Sequence, residues 1–296
     1  MKVLITGCNG QVGSCLVKLL QNNQNVEISA VDREELDITQ QDAVSHYVSS
    51  FQPNVIINAA AHTAVDKAEQ ESELSYAINR DGPKYLAQAA NDIGALMLHI
   101  STDYVFDGTK DTTYVETDLV NPQSVYGITK LAGEEAVAAA CPRHVILRTA
   151  WVFSEYGNNF VKTMLRLVKQ RDSLGIVDDQ FGGPTYAGDI AAALIKIAQE
   201  ITDSNKSFDT ENYGIYHFSG LPHVSWCKFA QVIFDKAVAQ GVLTKLPDVK
   251  GIKTNEYPTA AKRPANSMLN TNKISTIFNI PASNWQAALN NLDDYV

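Results

Sequence analysis

The 296-residue sequence has little cysteine, no bilayer-length apolar run and a deficit of positive charge. Its four cysteines are Cys8, Cys15, Cys141 and Cys227. None forms a C-x-x-C pair, and no His/Cys cluster has zinc-like spacing. They are expected to be reduced thiols in a cytoplasmic protein, packed as small core or loop residues. With no run long enough to span a bilayer, no membrane partner is expected. The start, MKVLITG, lacks the cationic, apolar and small-residue segments of a secretory signal. Lys and Arg number 24 against 33 Asp and Glu, a net charge of −9. No basic field therefore invites nucleic acid, and an anionic substrate needs a local cationic patch. Internal repeats and low-complexity tracts are also missing.

What is present is an alternation of two periods. Short β-branched apolar runs occur at KVLI, VEISAVD, PNVIINAA, ALMLHIS and HVILRT. Between them, residues 11–21, 42–51, 71–93 and 124–140 have helical spacing. Apolar runs separated by helices predict βαβ units, a buried parallel sheet and a doubly wound α/β fold of Rossmann type. In the second half, helices are expected over 159–170, 189–199 and VSWCKFAQVIFDKAVAQ, between loops rich in Gly, Pro and Asn. The expected boundary lies near Ala150. Residues 1–150 would form the dinucleotide-binding domain, recruiting elements from about 187–220, and 151–296 a smaller substrate-binding region.

Gly7, Gly10 and Gly13 stand as G-x-x-G-x-x-G directly after the first strand and at the start of the first helix. Gly7 permits the tight turn, Gly10 lets the backbone approach a pyrophosphate, and Gly13 allows close packing. The helix N-terminus adds free N–H groups and partial positive charge. A glycine-rich turn without a ligand gives the same string, but the βαβ context favours a dinucleotide. Asp32 ends the second strand near the ~20-residue offset of a ribose-binding acid, which favours NADH. Arg33 follows and can hold a 2′-phosphate, which favours NADPH. Both cofactors stay open.

Tyr126 and Lys130 stand four apart in SVYGITKLAGEE, on one face of a helix. A nearby ammonium is expected to lower the tyrosine pKa, so that the phenol exchanges a proton with a carbonyl or alcohol during hydride transfer. That spacing alone also fits an ordinary helix surface. The strand in LHISTDYVFDG ends in Ser101, Thr102 and Asp103, where ligands of open α/β sheets sit, so Thr102 is expected to hydrogen-bond the reacting oxygen.

Together TGCNGQVG, DITQ, VIINAAAHTAVDKAE, AINRDGPKYLAQAA, ISTDYVFDG, YGITKLAGEE, ILRTAWVF, NNF, DDQFGGPT and RPANSMLNT cover nearly the whole chain. These segments resemble the extended short-chain dehydrogenase/reductase superfamily and, within it, the dTDP-4-dehydrorhamnose reductases. The resemblance implies reduction of the C4 keto group of dTDP-4-dehydro-L-rhamnose to dTDP-L-rhamnose, a donor for surface polysaccharide. It implies a catalytic triad of Thr102, Tyr126 and Lys130. It places Asn9, Gly10, Gln11 and Val12 at the pyrophosphate, Asp32 and Arg33 at the ribose, and Asp37 and Ile38 by the adenine. Ala59, Ala60, Ala61 and Thr63 would line the nicotinamide side, and Asn79 would be a structural, water-organising residue. Thr63, Asp103, Tyr104, Trp151 and Arg263 are assigned to the dTDP-linked sugar. Trp151 offers a flat ring and Arg263 a cation, although core packing and a surface charge are the plainer readings.

Relatives carry a glutamate one turn into the first helix, implicated in a magnesium-bridged homodimer. Here Cys15 takes that place beside Ser14. A hard Mg²⁺ prefers carboxylates, so no metal ligand is assigned. Asp189, Asp293 and Asp294 are the carboxylates left to support one. Two rivals stand beside the reductase: an epimerase or dehydratase that recycles its cofactor, and a non-catalytic NAD(P)-binding regulatory subunit.

Overall fold

The computed structural model describes residues 1–203 and 208–296. Six parallel strands form the central sheet: β1 (Lys2–Thr6), β2 (Glu27–Val31), β3 (Val55–Asn58), β4 (Leu96–Thr102), β5 (His144–Thr149) and β6 (Gly214–His217). Their spatial order is β2-β1-β3-β4-β5-β6. Chain order reverses between β1 and β3, and the crevice beyond the carboxyl ends there is where such sheets bind ligands.

The strands are apolar throughout because both faces are covered. On one side, Val3, Ile5, Ile57, Leu98 and Leu147 meet α1 (Gln11–Leu20) and a later helix through Leu16, Ile190, Leu194 and Ile197. On the other, Leu4, Ile56, Met97 and Ile146 meet α2 (Gln41–Phe51), α3 (Gly82–Asp92) and α4 (Val125–Ala140) through Val44, Val48, Leu86 and Val137. Residues two apart on one strand thus serve one face, and their neighbours the other.

The expected helix over 71–93 is in three pieces. Ser72–Tyr76 runs into a π-helical turn, Ala77–Asp81, and then α3. The widened turn holds Asn79, whose side chain accepts from the His62 N–H at 2.8 Å and donates to the His62 carbonyl and the Thr129 hydroxyl. Helix α4 lies hard against it: a Cβ on Gly133 would stand 2.0 Å from the Asn79 carbonyl oxygen. Ser124 caps α4 by accepting from the Gly127 N–H.

After β5 the chain forms α5 (Phe160–Val168), α6 (Ala187–Thr202) and α7 (Trp226–Ala239). Helix α6 packs on α1, and β6 pairs with β5, so this stretch returns to the first sheet. The rest builds a second core of Phe153, Leu165, Ile176, Phe229, Ile233 and Trp285. It includes a parallel ribbon of Ser173–Val177 with Asp248–Ile252. Among the described residues, no helix is long and apolar enough to cross a membrane.

Candidate active site

Two joined cavities lie beyond the carboxyl ends of β1, β3 and β4. One holds about 390 Å³, the other about 600 Å³, and both are lined by Gly10 and Ala59 to Ala61. The smaller is walled by Gly7, Asn9, Asp32, Arg33, Asp37 and Ile38, all singled out in the sequence. Gln11, Val12, Thr63, Thr102, Asp103, Tyr104, Tyr126, Lys130 and Trp151 line the larger. Residues scattered over 150 positions thus meet in one cleft.

The glycine turn is built for close approach. Gly7 has φ +71°, and a Cβ there would lie 2.6 Å from the Ala60 nitrogen. A Cβ on Gly13 would stand 2.1 Å from the Gly7 carbonyl oxygen, so helix α1 and the turn pack backbone to backbone. Over Gly10 the space is open, with only the Gly7 carbonyl nearby at 3.3 Å. The first bond within α1 is Ser14 N–H to Gly10 O, which leaves the Gln11, Val12 and Gly13 N–H groups ahead of it facing outward. No acid occupies the first turn. This cradle fits a dinucleotide pyrophosphate. At its far end Asp32 accepts from its neighbour's N–H, and the Arg33 side chain is 75% exposed, 3.8 Å from Asp37. Asp37 accepts from the Thr39 hydroxyl and backbone, which hold its pKa down.

At the other end, Thr102, Tyr126 and Lys130 are buried. Thr102 Oγ1 donates to Asp103 Oδ1 at 3.0 Å and accepts from the Tyr104 N–H at 3.2 Å. Burial pushes the Asp103 carboxyl up to about 6, against the Ser267 and Thr102 hydroxyls beside it. The expected lowering of the Tyr126 pKa is not what the structure has. Burial pushes the phenol up to about 12; the Thr102 hydroxyl works the other way, and the Asp103 charge adds to the rise. Lys130 Nζ is turned onto the Ile100 carbonyl at 2.6 Å, and burial brings the amine itself down to about 8.

With this geometry in view, a family model described as RmlD substrate binding domain matches residues 1–295. The chain belongs to this family. It is 54% identical over 294 residues to a dTDP-4-dehydrorhamnose reductase of Aggregatibacter actinomycetemcomitans, with 99% of each chain covered. It is similar to a solved dTDP-4-dehydrorhamnose reductase of Clostridium acetobutylicum, with a TM-score of 0.89 and 43% identity over 98% and 97% of the two chains. It is also similar to one of Bacillus anthracis in complex with NADP, with a TM-score of 0.88 and 37% identity over 97% and 96%.

In this RmlD-family chain three assigned residues have partners that the sequence does not show. Arg263 lines a neighbouring cavity and is held by Asp66 through bonds of 2.7 and 3.1 Å. Trp151 lines the cleft but also stacks on Trp226, with centroids 3.5 Å apart and planes at 9°. Its φ of +49° is costly for a bulky residue. Trp226 itself was not foreseen: it opens α7 behind the Ser225 cap, 75 positions from its partner, and no local pattern joins the two. Val65, Gly157 and Asn158 also line the cleft, Val65 and Asn158 from within the VIINAAAHTAVDKAE and NNF segments. Gln11, expected at the phosphates, accepts through its side chain from Ser154 and Asn159, tying α1 to the second half. Among the described residues no group of three or more His, Cys, Asp or Glu could hold a metal. Cys15 is buried, and burial pushes its thiol up to about 12. Asp189 is engaged by the Ser283 hydroxyl.

Proposed function

We propose that this chain reduces the C4 keto group of dTDP-4-dehydro-L-rhamnose to give dTDP-L-rhamnose, using NADPH or NADH. One observation carries the reading: a buried Thr102–Tyr126–Lys130 cluster shares a cleft with an empty-sided glycine turn at a helix N-terminus. Relatives named for this reaction, matching end to end, support the substrate. We read residues 1–150 with α6 and β6 as the cofactor unit, and the remainder as the sugar unit.

The reduced nicotinamide, when bound, supplies the hydride. Gly7, Asn9, Gly10, Gln11, Val12 and Gly13 would hold its pyrophosphate, Asp32 and Arg33 the adenosine ribose, and Asp37 and Ile38 the adenine side. Ala59, Ala60, Ala61 and Thr63 would wall the path to the reacting end. Tyr126 gives its phenolic proton to the oxygen at C4, and Thr102 turns its hydroxyl from Asp103 to that oxygen to orient it. Lys130 supports the resulting phenolate as an ammonium. Asp103, Tyr104 and Trp151 contact the sugar. Arg263 would reach the nucleotide only by exchanging its Asp66 pair for the phosphates.

Purified protein, NADPH and dTDP-4-dehydrorhamnose test this. Reduced-nicotinamide absorbance is expected to fall only with the sugar nucleotide present. Tyr126→Phe should cut turnover by about 100-fold or more while still binding NADPH. Normal turnover in that variant would contradict the role of Tyr126. A sugar rearranged without net oxidation of cofactor would point to the epimerase reading.

A further inference from the structure

Strands β1, β3 and β4 carry a row of polar residues in register: Thr6 stands opposite Asn58, and Asn58 opposite His99. All three are buried, a costly placement unless each polar atom finds its partner. Asn58 Oδ1 accepts from Thr6 Oγ1 at 2.8 Å and from the Ala60 backbone N–H at 3.1 Å. A backbone N–H only donates, so the atom facing it is the amide oxygen, and the NH₂ faces His99. That NH₂ donates to His99 Nδ1 at 3.1 Å. Nδ1 must then be the bare nitrogen. Burial holds the ring neutral, so its single proton sits on Nε2. Nε2 stands 3.4 Å from Lys130 Nζ.

An ammonium has three donors and no acceptor, so facing Nε2–H it sets donor against donor. An uncharged amine offers a lone pair to Nε2–H and still donates to the Ile100 carbonyl. We infer that Thr6, Asn58 and His99 are positioning residues that favour the uncharged amine of Lys130 by fixing the His99 tautomer. They thereby set the pH at which the lysine beside Tyr126 takes up and releases a proton. The inference rests on reading Tyr126 and Lys130 as the acid–base pair.

Burial lowers the Lys130 pKa in the same direction, and Glu134 opposes it. Other titratable groups lie on the elements packed around Lys130. Tyr126 and Glu134 share its helix, with Glu134 bound to Arg148 of β5 at 2.7 and 2.9 Å. His99 and Asp103 come from β4 and its exit, and His144 from the start of β5. Arg80 and Asp81 of the π-helical turn pair with each other, and Glu69 accepts from the Val125 N–H. Apart from His99, none of these forms a hydrogen bond with Lys130. In the reduction, the proton given to the substrate oxygen has to be replaced on the phenolate. An ammonium proton passed on toward the phenolate leaves the uncharged amine that Nε2–H is placed to hold.

Asn58→Asp keeps the shape but offers two acceptor oxygens. His99 must then present Nδ1–H and leave Nε2 bare toward Lys130. ¹⁵N-histidine spectra of the native protein should show the His99 proton on Nε2, and those of Asn58→Asp should show it on Nδ1. The Lys130 titration, followed by ¹³C-lysine spectra and assigned with Lys130→Arg, should rise by about one pH unit in Asn58→Asp. The alkaline limb of the turnover profile should move up with it. A native His99 proton on Nδ1, or a Lys130 titration unmoved by Asn58→Asp, would overturn the inference. The native spectrum needs no variant to fold. It also stands apart from turnover, so loss of sugar reduction would count against the reductase reading alone.

Discussion

Tyr126 and Lys130 are close on one helix, yet the buried phenol is held high and the lysine amine low in the free protein. Both shifts come from the same removal of water, which disfavours whichever form is charged. Arg33 makes the opposite case, a cation left in solvent at the rim of the cleft. Arg33→Ala should raise the KM for NADPH by about 10-fold and leave that for NADH nearly unchanged, as expected when one charge-assisted contact to a phosphate is lost. Equal effects on both would remove Arg33 from 2′-phosphate recognition. At this scale the sequence was informative wherever a residue sat inside a local motif. Gly7, Gly10, Asp32, Thr102, Tyr126 and Lys130 all line the cleft, and each was marked by a turn, a strand end or a helical spacing. Trp226, and the Asp66 that holds Arg263, carried no such mark. Their partners are 75 and 197 positions away.

Among the elements, α4 joins the chemistry to the sheet. Its Glu134 meets Arg148 of β5 in a two-pronged pair, both side chains almost wholly out of water. Removing one partner leaves the other charge buried and unpaired. Glu134→Gln should therefore cost about 3–5 kcal/mol in urea unfolding, far beyond what a surface pair contributes. A loss under about 1 kcal/mol would mean that water reaches Arg148. The five strands expected from apolar runs are present, because strands covered on both faces read as unbroken apolar sequence. The π-helical turn at Ala77–Asp81 was not legible. It arises where α4 presses Gly133 onto the Asn79 carbonyl, a contact between segments about 50 residues apart. The sixth strand, Gly214–His217, is only four residues long, and its pairing with β5 rests on the fold around it.

For the whole molecule, two wholly buried histidines contribute to the response to acid. His217 is pushed down to about 3, chiefly by burial and then by the Arg148 charge, and His99 is held well below its ordinary value. The folded state keeps both rings neutral, whereas the unfolded chain protonates them below about pH 6.5. Unfolding therefore takes up protons, and stability falls as the pH drops from about 6.5 toward 3, by up to about 1.4 kcal/mol per pH unit for each ring. Asp103, raised to about 6, offsets one ring between about pH 4 and 6. The urea midpoint should be lower at pH 5 than at pH 7.5; an unchanged midpoint would mean that these rings are charged in the folded state.

The proposed reduction moves one hydride from a nicotinamide lying between the glycine turn and Tyr126 to C4 of a sugar nucleotide. It is tested most directly with NADPH carrying deuterium at the transferring position of its ring, incubated with the protein and dTDP-4-dehydrorhamnose, followed by mass and NMR spectra of the sugar. Deuterium at C4, one atom for each NADPH oxidised, is the expected result. Deuterium retained on the cofactor, or found at another carbon, would contradict the account.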